Sequence, residues 1–356
     1  MPKKSPCIKV VKKDGEKAIT IANKLKIINR ELKIQRDESY IYVPLVRWPS
    51  SEELEELKKN ISIFEVSEAT FSETKKGAKT FLELLESKLP PHLLASLPRA
   101  IDFVGDIAIV EIPPELKNYK MEIGNAILQM YKNVHTVLAK AGAVAGTYRL
   151  RKFEVIAGEH KTETVHREHG CKYYVDVAKV YFSPRLSYEH ARVASQVKEG
   201  ETIIDMFTGV GPFSILIAKT HERVKVYAID INPEAVALLK KNVMANRVEG
   251  KVNPVLGDAR QIIEQALRGV ADRVIMNLPE KAIEYIEVAC KALKTEGGII
   301  HFYSFVRADD SLESLKKRLE KEVEKFDRRI ENILFSRFVR ETAPYEWQAV
   351  LDVKIR

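Results

Sequence analysis

The pattern of apolar and polar positions divides the chain into three stretches of different period. In the first, Cys7 to Val11 reads as a strand and Gly15 to Lys26 as a helix. Two further strand-like runs, Leu32 to Gln35 and Tyr40 to Val46, are joined by the turn-forming Arg36-Asp37-Glu38-Ser39. Ser51 stands where it can cap a second helix, whose Leu54, Leu57 and Ile61 share a face, and Ile63 to Val66 closes the unit as a strand. A β-α-β-β-α-β order implies a small two-layer α+β domain over residues 1–68, followed by a polar linker from Thr70 to Lys76.

The second stretch opens with Leu82, Leu85 and Leu89 at helical spacing and is broken by Pro90 and Pro91. Ile101 to Ile112 alternates around Gly105-Asp106 as a hairpin or bulged strand. Leu116 to Ala139 has a helical pattern, Tyr148 onward returns to strand, and Lys172 to Phe182 makes a long β run on Tyr173, Val175, Val177 and Val180. Residues 75–185 are therefore expected to form a middle α+β domain. His166, His169 and Cys171 have no standard zinc spacing, so a hairpin turning on His169-Gly170 is expected there and no metal.

From Ser187 onward strands alternate with helices. The strands are Thr202 to Phe207, Lys225 to Asp230, Asn253 to Leu256, Arg273 to Asn277 and Gly298 to Ser304. The helices are Pro212 to Lys219, Pro233 to Asn246, Ala259 to Leu267, Ala282 to Leu293 and Leu312 to Phe326. That is an α/β pattern, a Rossmann-like doubly wound parallel sheet over residues 186–356. Ile333 to Arg340 and Glu346 to Ile355 leave the alternation and form a terminal β-hairpin around Thr342-Ala343-Pro344, the ending typical of methyltransferase rather than dehydrogenase sheets.

Composition narrows the class. The chain has 356 residues, 45% hydrophobic and 30% charged, which is globular and neither disordered nor membrane-spanning. Three scattered cysteines and an N-terminus without an apolar core imply free thiols and a cytoplasmic setting. A net charge of +8 and a pI near 9.1 favour a polyanionic partner.

The chemistry concentrates after Thr202, in Asp205-Met-Phe207-Thr-Gly209-Val-Gly211-Pro212-Phe-Ser214. A glycine turn between strand and helix lets a ligand approach the backbone and the helix N-terminus. A dinucleotide fingerprint would carry a third glycine where Ser214 stands, which disfavours an NAD enzyme. Asp205 suits the amino group of S-adenosylmethionine, Asp230 its ribose hydroxyls and Asp258 its adenine. The competing reading makes each acid a helix cap, but three acids at three successive strand ends favour a site. Asn277-Leu-Pro-Glu280 ends the fourth strand, where the acceptor should lie. No cysteine stands near it (Cys290 falls inside the next helix), so methyl transfer goes directly to a nitrogen without a covalent intermediate.

Along nearly its whole length the chain resembles the archaeal and eukaryal tRNA (guanine(37)-N1)-methyltransferases. The matching stretches are Tyr148-Arg149-Leu-Arg151, Val175-Asp-Val-Ala-Lys179-Val-Tyr181-Phe-Ser-Pro184-Arg185-Leu186, Glu189, the Asp205 to Ser214 turn, Ala228-Ile-Asp-Ile-Asn-Pro233 and Met276-Asn-Leu-Pro279. The resemblance implies a class I methyltransferase domain and S-adenosylmethionine held by Tyr181, Arg185, Asp205, Phe207, Gly209, Gly211, Asp230, Ile231, Asp258, Ala259 and Asn277. It gives Glu189 the role of general base for guanine N1, Arg149 that of stabilising charge on O6, and Asn277 that of reading the guanine edge. The bland alternatives are a helix-start carboxylate for Glu189 and a surface cation on a strand for Arg149. The implied partner is tRNA, gripped at the anticodon stem-loop, with the N-terminal unit on the outer corner and the target base flipped out. A monomer with no obligate protein partner is expected. Wyosine-pathway relatives, either a bifunctional methyltransferase or an aminocarboxypropyl transferase, share Phe182-Ser-Pro-Arg185 and remain an alternative, as does an RNA-binding protein with a vestigial pocket.

Overall fold

The computed structural model describes residues 2–73 and 80–356, in two compact units, Met1–Leu84 and Leu85–Arg356. In the first unit the expected element order holds: β1 (Lys3–Val11), α1 (Gly15–Lys24), β2 (Gln35–Arg36), β3 (Tyr40–Pro44), α2 (Ser51–Asn60) and β4 (Phe64–Phe71). The sheet order is β2-β3-β1-β4, and Ile8, Val10, Ala18, Ala22, Val43 and Leu57 build its core against the helices. Three local readings are corrected. Leu32 to Gln35 is not a strand; Asp37 accepts from Ser39 N, Tyr40 N and the Tyr42 hydroxyl, and this tight turn sets pairing at Gln35 and Arg36. Ser50, not Ser51, caps α2, in a capping box with Glu53. β4 runs through Thr70 to Phe71, so the linker does not begin at Thr70; its remainder from residue 74, and the start expected at residue 75, lie outside the described residues.

α3 (Phe81–Leu85) ends at the boundary between the units, and the second unit opens with a sheet of β5 (Ile101–Val104), β6 (Ile107–Val110), β7 (Thr136–Lys140) and β8 (Phe153–Gly158), with α4 (Lys120–Met130) crossing from β6 to its parallel neighbour β7. The long helix expected to Ala139 therefore ends at Met130. β7 is apolar on both faces, so it shows no alternation, and an unbroken apolar run does not distinguish strand from helix. The hairpin of β9 (Glu163–Glu168) and β10 (Cys171–Asp176) turns on His169 and Gly170, both at positive φ (46° and 76°). β10 stops at Asp176, where Lys179 N and Val180 N donate to the Asp176 carbonyl, so the β run expected to Phe182 is half its length.

The remaining elements are α5 (Ser187–Gln196), β11 (Thr202–Asp205), α6 (Pro212–Thr220), β12 (Lys225–Asp230), α7 (Pro233–Asn246), β13 (Val252–Leu256), α8 (Ala259–Ala266), β14 (Arg273–Met276), α9 (Ile286–Ala292), β15 (Gly298–Arg307), α10 (Leu312–Glu324), β16 (Ile330–Ala343) and β17 (Glu346–Ile355). The sheet order is β13-β12-β11-β14-β15-β17-β16, with β17 antiparallel to both neighbours. The connection reverses between β11 and β14, which opens a crevice at the carboxyl ends of these strands. Asn242 and Asn246 of α7 hold the edge of β10 through the backbone of Tyr174 and Lys172, and residues of β10 share one core with β11 and β12. A line of charged groups runs through this unit: Asp352 accepts from Arg192 and from His301 Nδ1, and Arg273 donates to His301 Nε2 and to Glu201. Among the described residues no helix is long and apolar enough to cross a membrane.

Candidate active site

A cavity of about 480 Å³ opens where the sheet order reverses. Phe207 and Gly209 after β11, Asp230 and Ile231 after β12, Asp258 and Ala259 after β13, and Asn277 after β14 line it, together with Arg149 and Tyr181. Nine of the sequence-derived candidates thus line one cavity.

The turn that shapes the cavity is held from below. Gly209 has φ 57°, and a Cβ there would meet only the Tyr181 carbonyl at 3.5 Å, so the backbone conformation demands the glycine. Gly211 (φ 94°) does not line the cavity; a Cβ would come within 2.4 Å of Leu239 Cδ1, so it lets α6 pack on α7. Asp230 pins the turn, its Oδ2 accepting from Gly209 N at 2.7 Å and its Oδ1 from Asn232 N at 2.9 Å, while burial pushes its carboxyl above the usual range. Asp258 caps α8 through Arg260 N at 2.7 Å and also faces the cavity, so the capping and binding readings coexist. Asp205 lies behind the wall, fully buried: Ser214 Oγ donates to its Oδ2, its Oδ1 has no partner, and burial pushes its pKa up to about 6. Phe207 and Tyr285 pack at right angles, with ring centroids 4.9 Å apart, and the Arg260 guanidinium lies over the Tyr285 ring.

These groups fit S-adenosylmethionine. Carboxylates at successive strand ends suit its hydroxyls, its adenine amino group and its positive charge, the aromatic and aliphatic wall suits the adenine ring, and an unpartnered buried carboxylate oxygen calls for a donor.

A second cavity of about 390 Å³ shares Arg149, Tyr181, Glu280, Phe305 and Arg340 with the first and adds Lys140, Arg151 and Arg185. Arg185 belongs to this second cavity, paired with Asp102 Oδ1 at 2.5 Å, and not to the cofactor wall. Arg149 sits in a turn, at φ 55°, not on a strand. Its guanidinium lies 5.3 Å from the Tyr181 ring centroid and 3.3 Å from Glu280, and its Nε and Nη1 are buried without a partner.

Glu189 lines neither cavity. It is 1% exposed in the first turn of α5; its Oε2 accepts from Arg192 and, at 2.9 Å, from Tyr303, a hydroxyl that burial keeps protonated. Its Oε1 makes no hydrogen bond and stands 3.3 Å from Arg337 Nη2. His166, His169 and Cys171 do not converge: His166 accepts from Gly105 N, His169 meets Ser187, and Cys171 is buried in the core.

Gln348 and Arg340 are among the cavity residues that escaped sequence reasoning. Gln348 Nε2 donates to Asn277 Oδ1 at 3.1 Å; Arg340 donates from Nε to Gln348 Oε1, from Nη1 to Ser183 Oγ and from Nη2 to the Tyr181 hydroxyl. A signal was present: Gln348 and Asp352 interrupt an apolar strand at a spacing that puts both on one face, and both are buried.

A seven-stranded sheet with an antiparallel β17 next to its edge, and an acid-lined crevice at its switch point, define a class I S-adenosylmethionine-dependent methyltransferase. Family models agree: residues 164–331 match the TRM5/TYW2 methyltransferase domain, 81–162 the TYW2 N-terminal domain and 7–53 the tRNA methyltransferase 5 N-terminal domain. The tRNA (guanine(37)-N(1))-methyltransferase Trm5b of Pyrococcus abyssi is 39% identical over 98% of both chains, and its crystal structure superposes with a TM-score of 0.76 over 99% of both. A complex of aTrm5 with tRNALeu matches at a TM-score of 0.77 and 35% identity, over 98% of this chain and 99% of that one. The tRNA 4-demethylwyosine(37)-methyltransferase Taw21 of Saccharolobus solfataricus is 41% identical, but over 72% of this chain and 94% of its own. The chain belongs to the tRNA (guanine(37)-N1)-methyltransferase family of the archaeal and eukaryal type.

Proposed function

We propose that the protein transfers a methyl group from S-adenosylmethionine to N1 of guanosine 37 in tRNA. The observation that carries this reading is the Arg149 guanidinium, with two buried donors left unsatisfied on a wall common to both cavities. Unpaired buried donors are costly and call for an acceptor that arrives with the substrate. S-adenosylmethionine supplies an electrophilic methyl group on a sulfonium sulfur, held by Phe207, Gly209, Asp230, Ile231, Asp258 and Ala259, with Asp205 beneath the turn.

Guanine N1 is protonated at neutral pH and becomes nucleophilic only as that proton leaves. The negative charge that then develops on O6 meets Arg149, which is fixed beforehand by Glu280 and Tyr181. Glu189 is the base in this reading, and the oxygen free to take the proton is Oε1. Because Glu189 stands off the cavity wall here, the role requires the entering base to meet it in the tRNA complex.

Single-turnover transfer to a guanosine-37 transcript by Glu189→Gln tests the assignment. We expect a fall of about a hundred- to ten-thousand-fold, with unchanged affinity for tRNA and cofactor and partial rescue at high pH. A rate within a few-fold of wild type, or a loss explained by unfolding without pH rescue, leaves Glu189 as a structural partner of Arg192. The identity shared with Taw21 supports a second reading, in which a 4-demethylwyosine at position 37 enters the same cavity. Methylation of such a tRNA as fast as of guanosine 37 would make the enzyme bifunctional.

A further inference from the structure

We infer that Arg340 and Gln348 are positioning residues that fix the polarity of the Asn277 amide, so that Asn277 meets the acceptor base only as a hydrogen-bond donor. The inference rests on the acceptor reading above and extends it to residues of the terminal hairpin.

The orientation of each amide follows from what its neighbour is able to give. A guanidinium has five N–H donors and no acceptor. The atom of Gln348 that lies 3.0 Å from Arg340 Nε must therefore be its oxygen. The Gln348 nitrogen is then the atom 3.1 Å from Asn277, and only the Asn277 oxygen accepts from it. Arg340 thus sets the orientation of two successive amides, and Asn277 Nδ2 is left with no partner among the described residues. Gln348 is 1% exposed, so bulk water does not compete for this relay, and a charged donor at its head polarises each bond after it. Arg340 is itself held by Ser183 and Tyr181, so the relay is anchored on the same loop that carries Tyr181 into the cavity.

A fixed donor has a chemical consequence. The Watson–Crick edge of guanine has one acceptor, O6, and O6 gains negative charge as N1 loses its proton. A donor that cannot turn its oxygen toward O6 stabilises that charge in every encounter; a freely rotating amide repels it part of the time.

The test reverses the relay. In Gln348→Glu the carboxylate accepts from Arg340 and also from Asn277, which must turn its amide and present Oδ1 to the cavity. In Gln348→Leu the relay is lost and the Asn277 amide turns freely. Single-turnover methyl transfer to a guanosine-37 transcript should fall on the order of a hundredfold in Gln348→Glu and about tenfold in Gln348→Leu. Affinity for S-adenosylhomocysteine by calorimetry, affinity for tRNA by filter binding, and the melting temperature should change little. A merely structural role predicts the opposite order, because Glu is nearly isosteric with Gln and Leu removes every bond. Gln348→Glu that is no worse than Gln348→Leu overturns the inference. Should either variant fail to fold, Asn277→Asp decides: it still accepts from Gln348 but offers the base only an acceptor, so a loss as large as for Gln348→Glu is expected and near-wild-type transfer overturns it. The proposed function fails separately, if wild-type enzyme leaves guanosine 37 unmethylated.

Discussion

At the residue scale, the cost of the site is concentrated in Asp205. Burial raises its carboxyl from 3.8 to about 6, and one of its oxygens has no partner. A folded-state pKa above the unfolded one means that the native state holds the proton more tightly, so the penalty is absent below about pH 4 and complete above about pH 6. The gap corresponds to up to ~3 kcal/mol of lost stability at neutral pH. Asp205→Asn should therefore raise the melting temperature at pH 7–8, and the gain should shrink as the pH falls toward 4. Cofactor affinity should fall in the same variant, measured by calorimetry with S-adenosylhomocysteine. A variant no more stable than wild type at pH 8 would mean that the Ser214 bond already offsets the desolvation of Asp205.

At the element scale, the site depends on a side chain reaching across two elements. Asn242 of α7 is fully buried, accepts from Tyr174 N at 2.7 Å and donates to the carbonyls of Tyr174 and Val210, tying β10 to the glycine turn. Asn242→Ala leaves buried backbone groups unpaired, at ~1–3 kcal/mol for each one that water cannot reach. Denaturant unfolding should report a loss of several kcal/mol, and cofactor affinity should drop because Val210 sits within the turn. A loss below 1 kcal/mol would show that water replaces the amide. Such ties were not legible in the sequence, whereas the β-α alternation after Thr202 was, because local period and turn chemistry dictate it. β12 and α7 fell on their expected residues for that reason. β7 was misread because strands buried on both faces lose their alternation, and Arg149 because a positive φ leaves no trace in hydropathy. The cofactor wall was readable because each acid follows a strand; Gln348 and Arg340 were missed because the partners that tie them to the site, Asn277, Ser183 and Tyr181, lie 71 or more positions away.

At the scale of the whole molecule, the first unit carries its own core, and Leu85–Arg356 holds both cavities. Cutting at residue 66 would remove most of the first unit but leave part of β4, so a chain beginning at Thr80 is the better truncation. It should fold and bind S-adenosylhomocysteine like the full chain. If the first unit recognises tRNA away from the anticodon, the truncated enzyme should lose far more activity on full-length tRNA than on an anticodon minihelix. Equal losses on both would rule that role out.

The buried pair of His301 and Asp352 bears on how this hairpin is able to change over evolutionary time. The two residues face each other in the β15–β17 ladder, which runs unbroken from Gly298 opposite Ile355 to Arg307 opposite Glu346. Arg273 only donates, so His301 Nε2 must accept and its proton sits on Nδ1, facing Asp352. No member of this line is replaceable alone, because losing one partner strands a charge where no water reaches. A viable change at Asp352 therefore has to be matched at Arg192, His301 and Arg273 together, and the alternate positions Ala349, Leu351 and Val353 give no slack because they are fully buried as well. Gln348 lies on the same face of β17 as Asp352, so the constraint that holds the strand in register also holds the Asn277 contact in place.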